Sequence, residues 1–434
     1  MEINFFIWKD TAIDERTRIF ERAQTDISEI VETAKRVLTA VREGGDKALL
    51  ECIEKYDGVK LEASQLKVTE EEFERAEREL PEDFKDAVRN NIENIRKFHN
   101  SQLPPPMQFI SIAPGVYAGE KSEPIDSVGI YVPRGKGSFP SVLYMLAVPA
   151  KIAGVKKIII ATPPGPEGDI DAGTLFAARE CSLADVYKIS GIQAIGALAY
   201  GTESIDRVVK IIGPGSSYVT AAKRVLYGIV DVGLPAGPSE SVIIADNTAN
   251  ARKVALDFLV EAEHGPDSAS ILVTDSLQLG KDMVEIVPSL VEKLTPVRQK
   301  FLKENMKKYS GVVIVESLEE AVEFANQYAP EHLSLQTDNP FDLLPLIKNA
   351  GEILLGENTS FSMANYSIGP NNTLPTGGFA RTFSPVSVRD FCKYSSVSYV
   401  TARGFHELKE SAVKMAEYEG FPAHAQALTL RDIE

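Results

Sequence analysis

From about residue 126 onward, short apolar runs alternate with stretches of helical periodicity, and this alternation constrains the fold more than any other feature. Strands of a parallel sheet are continuous apolar segments because helices cover both faces of the sheet. The pattern therefore predicts a largely parallel α/β architecture, with one sheet or two. The predicted strands are Val128–Val132, Lys157–Ala161, Val208–Ile212, Val242–Ala245, Ile271–Thr274, Val312–Val315 and Ile353–Leu355, and the helices between them include Val142–Ile152, Arg252–Glu263 and Leu318–Tyr328.

The two ends of the chain are predicted to be mainly helical. Apolar residues recur at helical spacing from Ile27 to Val41, and Thr69 with Glu72 forms a capping box that opens another helix. A further helical segment covers Glu407–Glu419. The chain has 434 residues, which is too long for one ordinary core, so we expect two or three domains.

Charge and cysteine content exclude several classes of protein. The net charge of −16 argues against a nucleic-acid partner, because phosphate binding needs clustered Lys and Arg. No apolar run approaches the roughly 20 residues that cross a bilayer, and the N-terminal residues lack the pattern of a signal peptide. The three cysteines, Cys52, Cys181 and Cys392, are far apart and form no C-x-x-C motif. We therefore expect a cytoplasmic protein without a membrane or nucleic-acid partner.

Loops rich in glycine and proline follow several predicted strands, at residues 131–137, 212–216 and 236–240. Ligands of open α/β sheets bind beyond the carboxyl ends of strands, so a dinucleotide could lie at these loops. None of them matches G-x-G-x-x-G, because Tyr218 stands where the third glycine would be. Ordinary strand-to-helix turns need the same residue types, so both interpretations stay open.

Acidic residues accompany three of the five histidines. Glu261 and His264 lie one turn apart at the end of a predicted helix, which fits either a metal site or a solvated helix end. Glu331 and His332 are expected on a loop just past the helix of residues 318–328, as a proton-transfer pair or as a surface pair. These settings favour a metal-assisted enzyme. The third pair is Glu419 with His424, and His99 and His406 are assigned to structural or surface positions.

Together the motifs resemble those of the histidinol dehydrogenase family over essentially the whole chain. That family oxidises L-histidinol to L-histidine in histidine biosynthesis, using two NAD and an aldehyde that stays bound. The resemblance implies an α/β fold of two incomplete Rossmann-like domains with parallel sheets, small helical terminal segments, zinc, and a homodimer with exchanged segments. The matching segments are Val41–Leu49, Val128–Pro133, Gln193–Thr202, Gly213–Gly215, Tyr218–Thr220, Pro235–Glu240, Ala262–Ser268, Ala329–Leu333, Leu374–Gly378 and Glu419–His424.

The resemblance also implies a division of the chain. Residues 1–25 would form an N-terminal helical segment. Residues 26–126 together with 240–386 would form the first α/β domain, which carries the metal and catalytic residues. Residues 127–239 would form the second, NAD-binding domain, and residues 387–434 a helical segment that reaches the partner subunit.

Roles for single residues follow from the resemblance by position. His332 would be the base that takes the alcohol proton, and Glu331 would activate water on the aldehyde. The metal-ligand positions are Glu261, His264, Asn365 and His424, the last supplied by the partner subunit. The NAD-contact positions are Tyr131, Gln193 and Ser216. The substrate-contact positions are Ser239, Glu261, His264, His332, Asn365, Asn372, Glu419 and His424.

Four positions of the implied site depart from the family pattern. The family has Gln where this chain has Glu261, Asp at Asn365, His at Asn372 and Asn at Ser216. The first two changes offset each other, because two imidazoles, one carboxylate and one carboxamide are still present, and a metal is expected to bind. The change at Asn372 removes a titratable donor and should alter which ligand fits.

Three functions stay open at this point. The first is oxidation of histidinol, a small amino alcohol, with NAD and zinc. The second is oxidation of another small polar amino or hydroxy alcohol by a paralogue, which the altered pocket beside Glu331 and His332 favours. The third is a non-catalytic binding protein, which would have no need to keep both of those residues together with His264 and His424.

Overall fold

The computed structural model describes residues 1–22, 28–134 and 137–431, which form an α/β fold with three sheets. The predicted class, with two parallel sheets, is confirmed. Nowhere in these three stretches is a helix long and apolar enough to span a membrane. The strands are β1 (Asn4–Ile7), β2 (Met107–Ala113), β3 (Val116–Pro124), β4 (Ser127–Tyr131), β5 (Lys157–Thr162), β6 (Val186–Lys188), β7 (Lys210–Ile212), β8 (Glu240–Ala245), β9 (Ala269–Thr274), β10 (Gly311–Ile314), β11 (His332–Gln336), β12 (Glu352–Leu355) and β13 (Cys392–Val400).

The helices alternate with these strands through most of the chain. They are α1 (Ile13–Glu21), α2 (Ser28–Asp57), α3 (Glu70–Glu79), α4 (Glu82–Asn100), α5 (Pro140–Ala153), α6 (Ala172–Glu180), α7 (Gly191–Tyr200), α8 (Ser217–Leu226), α9 (Ala251–Ala262), α10 (Leu277–Val291), α11 (Pro296–Asn305), α12 (Leu318–Tyr328), α13 (Pro340–Leu343), α14 (Phe361–Tyr366), α15 (Ala402–Tyr418) and α16 (Pro422–Thr429). Short 3-10 helices lie at Trp8–Asp10, Ala63–Gln65, Leu344–Leu346, Phe379–Arg381 and Val388–Phe391. The predicted capping box of Thr69 and Glu72 opens α3.

The larger domain is built on a six-stranded sheet with the order β1-β10-β9-β8-β11-β12, in which every neighbouring pair is parallel. Phe258 of α9 and Met283 of α10 pack in the core on one face. Phe324 and Tyr328 of α12 pack in the core on the other face. Because helices cover both faces, most of these strands are continuous apolar runs, and the sequence predicted them correctly.

The smaller domain is built on a four-stranded parallel sheet with the order β6-β5-β4-β7. Ile92 of α4 packs with α5 and α6 on one face, and Leu38 of α2 packs with α7 and α8 on the other. The predicted division places residues 26–126 in the other domain, but α2, α3 and α4 pack against the helices α5 to α8 that cover this sheet. The reason is that their apolar stripes are buried against those helices.

The third sheet is antiparallel, with the order β13-β3-β2, and it is exposed on both faces. Helices α15 and α16 pack against each other beside it. The predicted terminal segments, 1–25 and 387–434, were described as helical, but they also contain β1 and β13. An exposed strand such as β13 has no continuous apolar run, so the criterion for buried strands does not detect it.

Most of the candidate site residues lie at the ends of strands. Glu240, His332 and Glu352 are the first residues of β8, β11 and β12, which are neighbours in the larger sheet. Tyr131 is the last residue of β4 in the smaller sheet. The fold therefore presents two places where side chains converge: the amino edge of the larger sheet and the carboxyl edge of the smaller one.

Candidate active site

Glu331 and His332 lie where the chain enters strand β11, and both are buried, with 7% and 2% of their surfaces exposed. Helix α12 ends at Tyr328, and Ala329 takes a left-handed conformation with φ 51° before Pro330 leads into the strand. The loop position predicted for this pair holds for Glu331, which lies in the short loop after α12, but it is wrong for His332, which is the first residue of the strand. The alternative of a surface pair is excluded by its burial.

The composition of β11 explains why the sequence did not predict this strand. Leu333 and Leu335 pack in the core beside α12. His332 and Gln336 instead contact acidic side chains of α9 on the other face. A strand that alternates apolar and polar residues inside a parallel sheet lacks the continuous apolar run used to find its neighbours. The buried polar face of β11 places His332 beside the acidic side chains of α9.

Three carboxylates surround the imidazole of His332. Its Nδ1 lies 2.6 Å from Oε1 of Glu352, and its Nε2 lies 3.7 Å from Oε1 of Glu261 and 3.8 Å from Oε1 of Glu331. Glu352 reaches the ring because it pairs with His332 in the register of β11 and β12. A carboxylate at Nδ1 holds the proton on that nitrogen and directs Nε2 towards the other two acids. Glu352 was not predicted; an acid opening an otherwise apolar strand is the signal that could have identified it.

The pKa values of this buried group are strongly shifted. Burial lowers the pKa of His332, but the charges of Glu261, Glu331 and Glu352 raise it more, to about 10. Burial raises the pKa of Glu331 to about 8, although the charge of His332 acts in the opposite direction. Shifts of this size mark groups whose environment is arranged for proton transfer.

Glu261, His264 and Asn365 converge at the C-terminal end of α9. Glu261 is buried in the last turn of the helix, and its Oε2 lies 3.6 Å from Nε2 of His264. Asn365 of α14 donates from Nδ2 to Oε1 of Glu261 at 2.8 Å. Burial raises the pKa of Glu261, but His332, His264 and this hydrogen bond together lower it below the ordinary value. Asn305 donates to the carbonyl oxygens of Ala262 and Gly265 at 2.5 and 3.2 Å, which fixes the turn that carries His264.

The chemistry of these donors fits a zinc site. Zinc binds imidazole nitrogen and carboxylate oxygen, and an amide oxygen can complete such a set. Because Nδ2 of Asn365 donates to Glu261, Oδ1 is the atom of that amide that could bind a metal. Over the described stretches, no group of three or more His, Cys, Asp or Glu side chains is arranged to hold a metal ion. Glu261 and His264 contribute only two such residues, since Asn365 is an amide.

Asn372 and Ser239, predicted to contact substrate, lie beside this group. Asn372 donates from Nδ2 to the backbone oxygen of Asn365 at 2.9 Å, so it supports the end of helix α14, which carries the amide. Ser239 is half-buried and directly precedes Glu240, whose backbone N–H donates to Oε2 of Glu331 at 3.0 Å. Both residues therefore connect through the backbone to the metal and catalytic positions.

His424 and Glu419 lie apart from the other predicted site residues. Glu419 follows α15 and His424 is in α16, and both side chains are exposed. The ring of His424 packs beside Phe421, with the ring centres 5.2 Å apart. Within the parts of the chain that are described, no hydrogen bond or ion pair joins either residue to Glu261, His264 or Asn365. The structure therefore brings together three of the four predicted metal ligands.

The predicted NAD residues lie at the carboxyl edge of the smaller sheet. Tyr131 ends β4, Gln193 is in the first turn of α7 after β6, and Ser216 directly precedes α8 after β7. Gly213 lies in the loop between β7 and α8 with φ +120°, where a Cβ atom would stand 2.1 Å from the carbonyl oxygen of Tyr131. Only glycine permits this close approach.

A hydrogen-bond chain fixes two of these residues. The backbone N–H of Gly191 donates to Oη of Tyr131 at 3.2 Å. Gln193 donates to Oγ of Ser190 at 3.1 Å, and Ser190 donates to the carboxylate of Asp57 at 2.6 Å. Tyr131 and Gln193 are almost fully buried. Hydrogen bonds within the protein therefore hold both side chains in place without a ligand.

The chain is similar to known proteins of one family over most of its length. The profile of the family described as histidinol dehydrogenase matches residues 20–432. The histidinol dehydrogenase of Synechocystis is 48% identical over 411 residues, which cover 95% of each chain. The chain belongs to the histidinol dehydrogenase family. A histidinol dehydrogenase homolog of Rhizobium meliloti is 46% identical over 98% of this chain and 94% of its own length.

A solved structure of the family has the same fold. The crystal structure of histidinol dehydrogenase from Elizabethkingia anophelis superposes with a TM-score of 0.93 at 35% sequence identity, covering 99% of this chain and 97% of that one. Family membership confirms the resemblance that the motifs indicated, and it identifies the protein as an oxidoreductase.

Proposed function

We propose that this protein oxidises L-histidinol to L-histidine with NAD, as a zinc-dependent cytoplasmic enzyme of histidine biosynthesis. The observation that carries the proposal is the buried Glu331–His332 pair, held by Glu352 and placed beside Glu261, His264 and Asn365. This arrangement joins a proton-transfer pair to a set of metal donors. Family membership supports the substrate.

The overall reaction consumes one alcohol, one water and two NAD, and it forms one carboxylate, two NADH and three protons. In the first step His332 takes the hydroxyl proton at Nε2, while Glu352 holds Nδ1. In the second step Glu331 faces the same position and takes a proton from the water that adds to the aldehyde. The 3.8 Å between Glu331 Oε1 and His332 Nε2 is short enough for both groups to reach one reacting carbon, which supports these two roles.

Two bound groups would supply the remaining chemistry. Glu261, His264 and Asn365 would hold zinc, which orients and polarises the substrate's polar atoms. Tyr131, Gln193 and Ser216 would hold NAD, which accepts one hydride in each oxidation. The N-termini of α7 and α8 at this edge favour the negative charge of a pyrophosphate.

We also propose a homodimer in which the partner subunit supplies His424 and Glu419 to the site. Two features support this assembly. His424 is exposed on α16, and the sheet of β2, β3 and β13 exposes large apolar side chains, including Ile110, Ile112 and Tyr399. Exposed apolar patches of this kind mark protein interfaces.

Subunit mixing tests the shared site. His332→Asn and His424→Ala would each be inactive alone, but a hybrid dimer would contain one site with both histidines intact. Random reassociation forms hybrids in half of the dimers, so we expect about a quarter of the wild-type activity to return. Mixtures that stay inactive would show that each site is built within one subunit.

A paralogue that oxidises another small polar alcohol is the second candidate. The observation that favours it is Asn372, which stands where the family has His and donates a hydrogen bond to the backbone of Asn365, a predicted metal ligand. An amide in place of an imidazole changes the charge and donors offered to a substrate.

NADH released per L-histidinol by the zinc-loaded protein distinguishes the two candidates. Two NADH per substrate, lost with a chelator and restored by zinc, would establish the histidinol reaction. No turnover by folded protein that holds zinc would favour the paralogue, and a panel of small amino and hydroxy alcohols would then identify its substrate class.

A further inference from the structure

We propose that Arg22 and Glu240 form a buried ion pair that positions Glu331 for the second oxidation. The inference rests on the proposed function, because it concerns the step assigned to Glu331. Neither residue belongs to the predicted catalytic, metal, cofactor or substrate positions. Both are positioning residues, since they act through Glu331.

The first link is the hydrogen bond that orients Glu331. The backbone N–H of Glu240 donates to Oε2 of Glu331 at 3.0 Å, while Oε1 of Glu331 lies 3.8 Å from Nε2 of His332. One carboxylate oxygen is therefore anchored to the start of β8, and the other faces the reacting position. The direction of the Glu331 carboxylate depends on where the backbone of Glu240 lies.

The second link fixes Glu240 itself. Its Oε1 accepts hydrogen bonds from Nη1 of Arg22 at 2.8 Å and from the backbone N–H of Gly377 at 2.9 Å. The Arg22 and Glu240 side chains are 7% and 4% exposed, so the ion pair is shielded from water. A charge-assisted bond in such surroundings is stronger than one at the surface.

The third link connects Arg22 to the segment that carries Glu331. The guanidinium of Arg22 stacks on the ring of Tyr328, 3.7 Å from its centre. Tyr328 is the last residue of α12 and lies three residues before Glu331. Arg22 thus contacts both chain segments that meet at the catalytic carboxyl, the start of β8 through Glu240 and the end of α12 through Tyr328.

The backbone of Arg22 supports a positioning role. Its φ of 60° and ψ of −166° lie in a region of backbone conformation that residues other than glycine rarely adopt. Strain of this kind persists only where surrounding contacts determine the conformation, and it is concentrated at functional sites. Burial raises the pKa of Glu240 to about 7, and the charge of Arg22 acts in the opposite direction by favouring the carboxylate.

The test separates the two oxidations in Arg22→Met. We expect the aldehyde step to slow at least about tenfold, because a misdirected Glu331 no longer activates water, with a much smaller effect on the first hydride transfer. The stoichiometry should then fall from two NADH per histidinol towards one, and free aldehyde should be trapped by semicarbazide. Single-turnover absorbance measures the two NADH phases.

Two further variants keep the test decisive. Arg22→Lys retains the charge but loses the stacked fork, so its stoichiometry should lie between those of wild type and Arg22→Met. Lys85→Met removes another buried cation, which pairs with Glu82 far from the site, and should lose stability while still forming two NADH. Two NADH from both Arg22 variants would overturn the proposal and leave the ion pair a purely structural role.

A crystal structure of Arg22→Met gives a readout that needs no substrate. Loss of the 3.0 Å contact between Glu240 N and Glu331 Oε2, with rotation of the Glu331 carboxylate, is the expected result. An unchanged Glu331 would overturn the positioning role. Failure of the wild-type protein to oxidise histidinol would instead count against the proposed function, and this structural result would still decide the role of Arg22.

Discussion

The two parallel sheets carry their candidate site residues at opposite edges. In the smaller sheet Tyr131, Gln193 and Ser216 lie at the carboxyl edge, where ligands of open α/β sheets ordinarily bind. In the larger sheet His332 and Glu352 open two neighbouring strands at the amino edge. The carboxyl edge offers glycine-rich loops and backbone N–H groups, whereas the amino edge offers carboxylates and imidazoles.

Helix direction explains the difference. In a parallel α/β sheet the connecting helices run opposite to the strands, so their N-termini lie at the carboxyl edge and their C-termini at the amino edge. The N-termini of α7 and α8 favour an anion such as a pyrophosphate. The C-terminal ends of α9 and α12 favour a cation, which suits zinc beside Glu261 and the positive charge that His332 gains when it takes a proton. One fold thus separates the residues proposed to bind NAD from those proposed for proton transfer and metal binding.

The largest effect on turnover is expected for His332→Asn at the amino edge. The change removes the proton acceptor and keeps a polar side chain of similar size, so we expect turnover to fall by about 100- to 10,000-fold. Zinc content, measured by mass spectrometry, and the melting temperature should change little. Activity that survives would show that His332 is not the base.

The carboxylate–amide pair gives the next largest effect. Glu261→Gln removes the only carboxylate of the pair, and Asn365→Asp places two carboxylates where Nδ2 now donates at 2.8 Å. Each single change should weaken zinc binding by about 10- to 100-fold. The double change restores one acid and one amide and should bind zinc better than either single variant.

Competition with a chelator measures this coupling. A double-mutant cycle should give an interaction energy of about 1 to 3 kcal/mol in favour of the exchanged pair. Additive losses would show that the hydrogen bond between the two side chains does not couple them. NAD affinity serves as the control, because these changes lie at the other edge.

A change at the carboxyl edge is expected to weaken NAD binding and to leave zinc binding unchanged. Gln193→Ala removes the hydrogen bond that Gln193 donates to Ser190, and we expect the Kd for NAD to rise about tenfold, equivalent to about 1.4 kcal/mol. Zinc content should not change. Calorimetric titration with NAD measures the effect, and His264→Ala is the matched control that should lower zinc content with little change in NAD affinity.

The sequence predicted the continuous apolar strands, because burial on both faces of a parallel sheet leaves a direct compositional signal. Strand β11 was missed since His332 and Gln336 alternate with leucines and face the acids of α9. Its polar face carries the candidate base His332, so this strand departs from the rule that found its neighbours.

The candidate site divides in the same way. Motifs identified Glu331, His332, Glu261 and His264, because acids and histidines close in sequence are visible as pairs. Glu352 and Arg22 were missed because strand register and tertiary packing bring them to the site from 20 and more residues away. Single-sequence patterns carry no information about such pairings, whereas the fold determines them directly.

The last prediction concerns stability and compares two acids on one face of α9. Asp257 lies one turn before Glu261 and accepts a hydrogen bond from Gln336 at 2.7 Å. Histidine charges lower the pKa of Glu261 despite its burial, whereas burial raises the pKa of Asp257 to about 6. When a carboxyl has a higher pKa in the folded protein than in the unfolded chain, the protein loses stability as the pH rises from the unfolded pKa to the folded one. For Asp257 this range runs from about pH 4 to about pH 6.

Asp257→Asn should therefore match wild type near pH 4 and exceed it by about 3 kcal/mol above pH 6. Asparagine keeps an acceptor for Gln336, and its amide can donate to the buried Oε1 of Gln336, which lacks a partner among the described residues. Urea unfolding between pH 4 and 8 measures the difference. If the difference in the free energy of unfolding between the two proteins does not vary with pH, Asp257 is stabilised as a carboxylate, as Glu261 is. The contrast between the two acids would then not depend on a neighbouring cation.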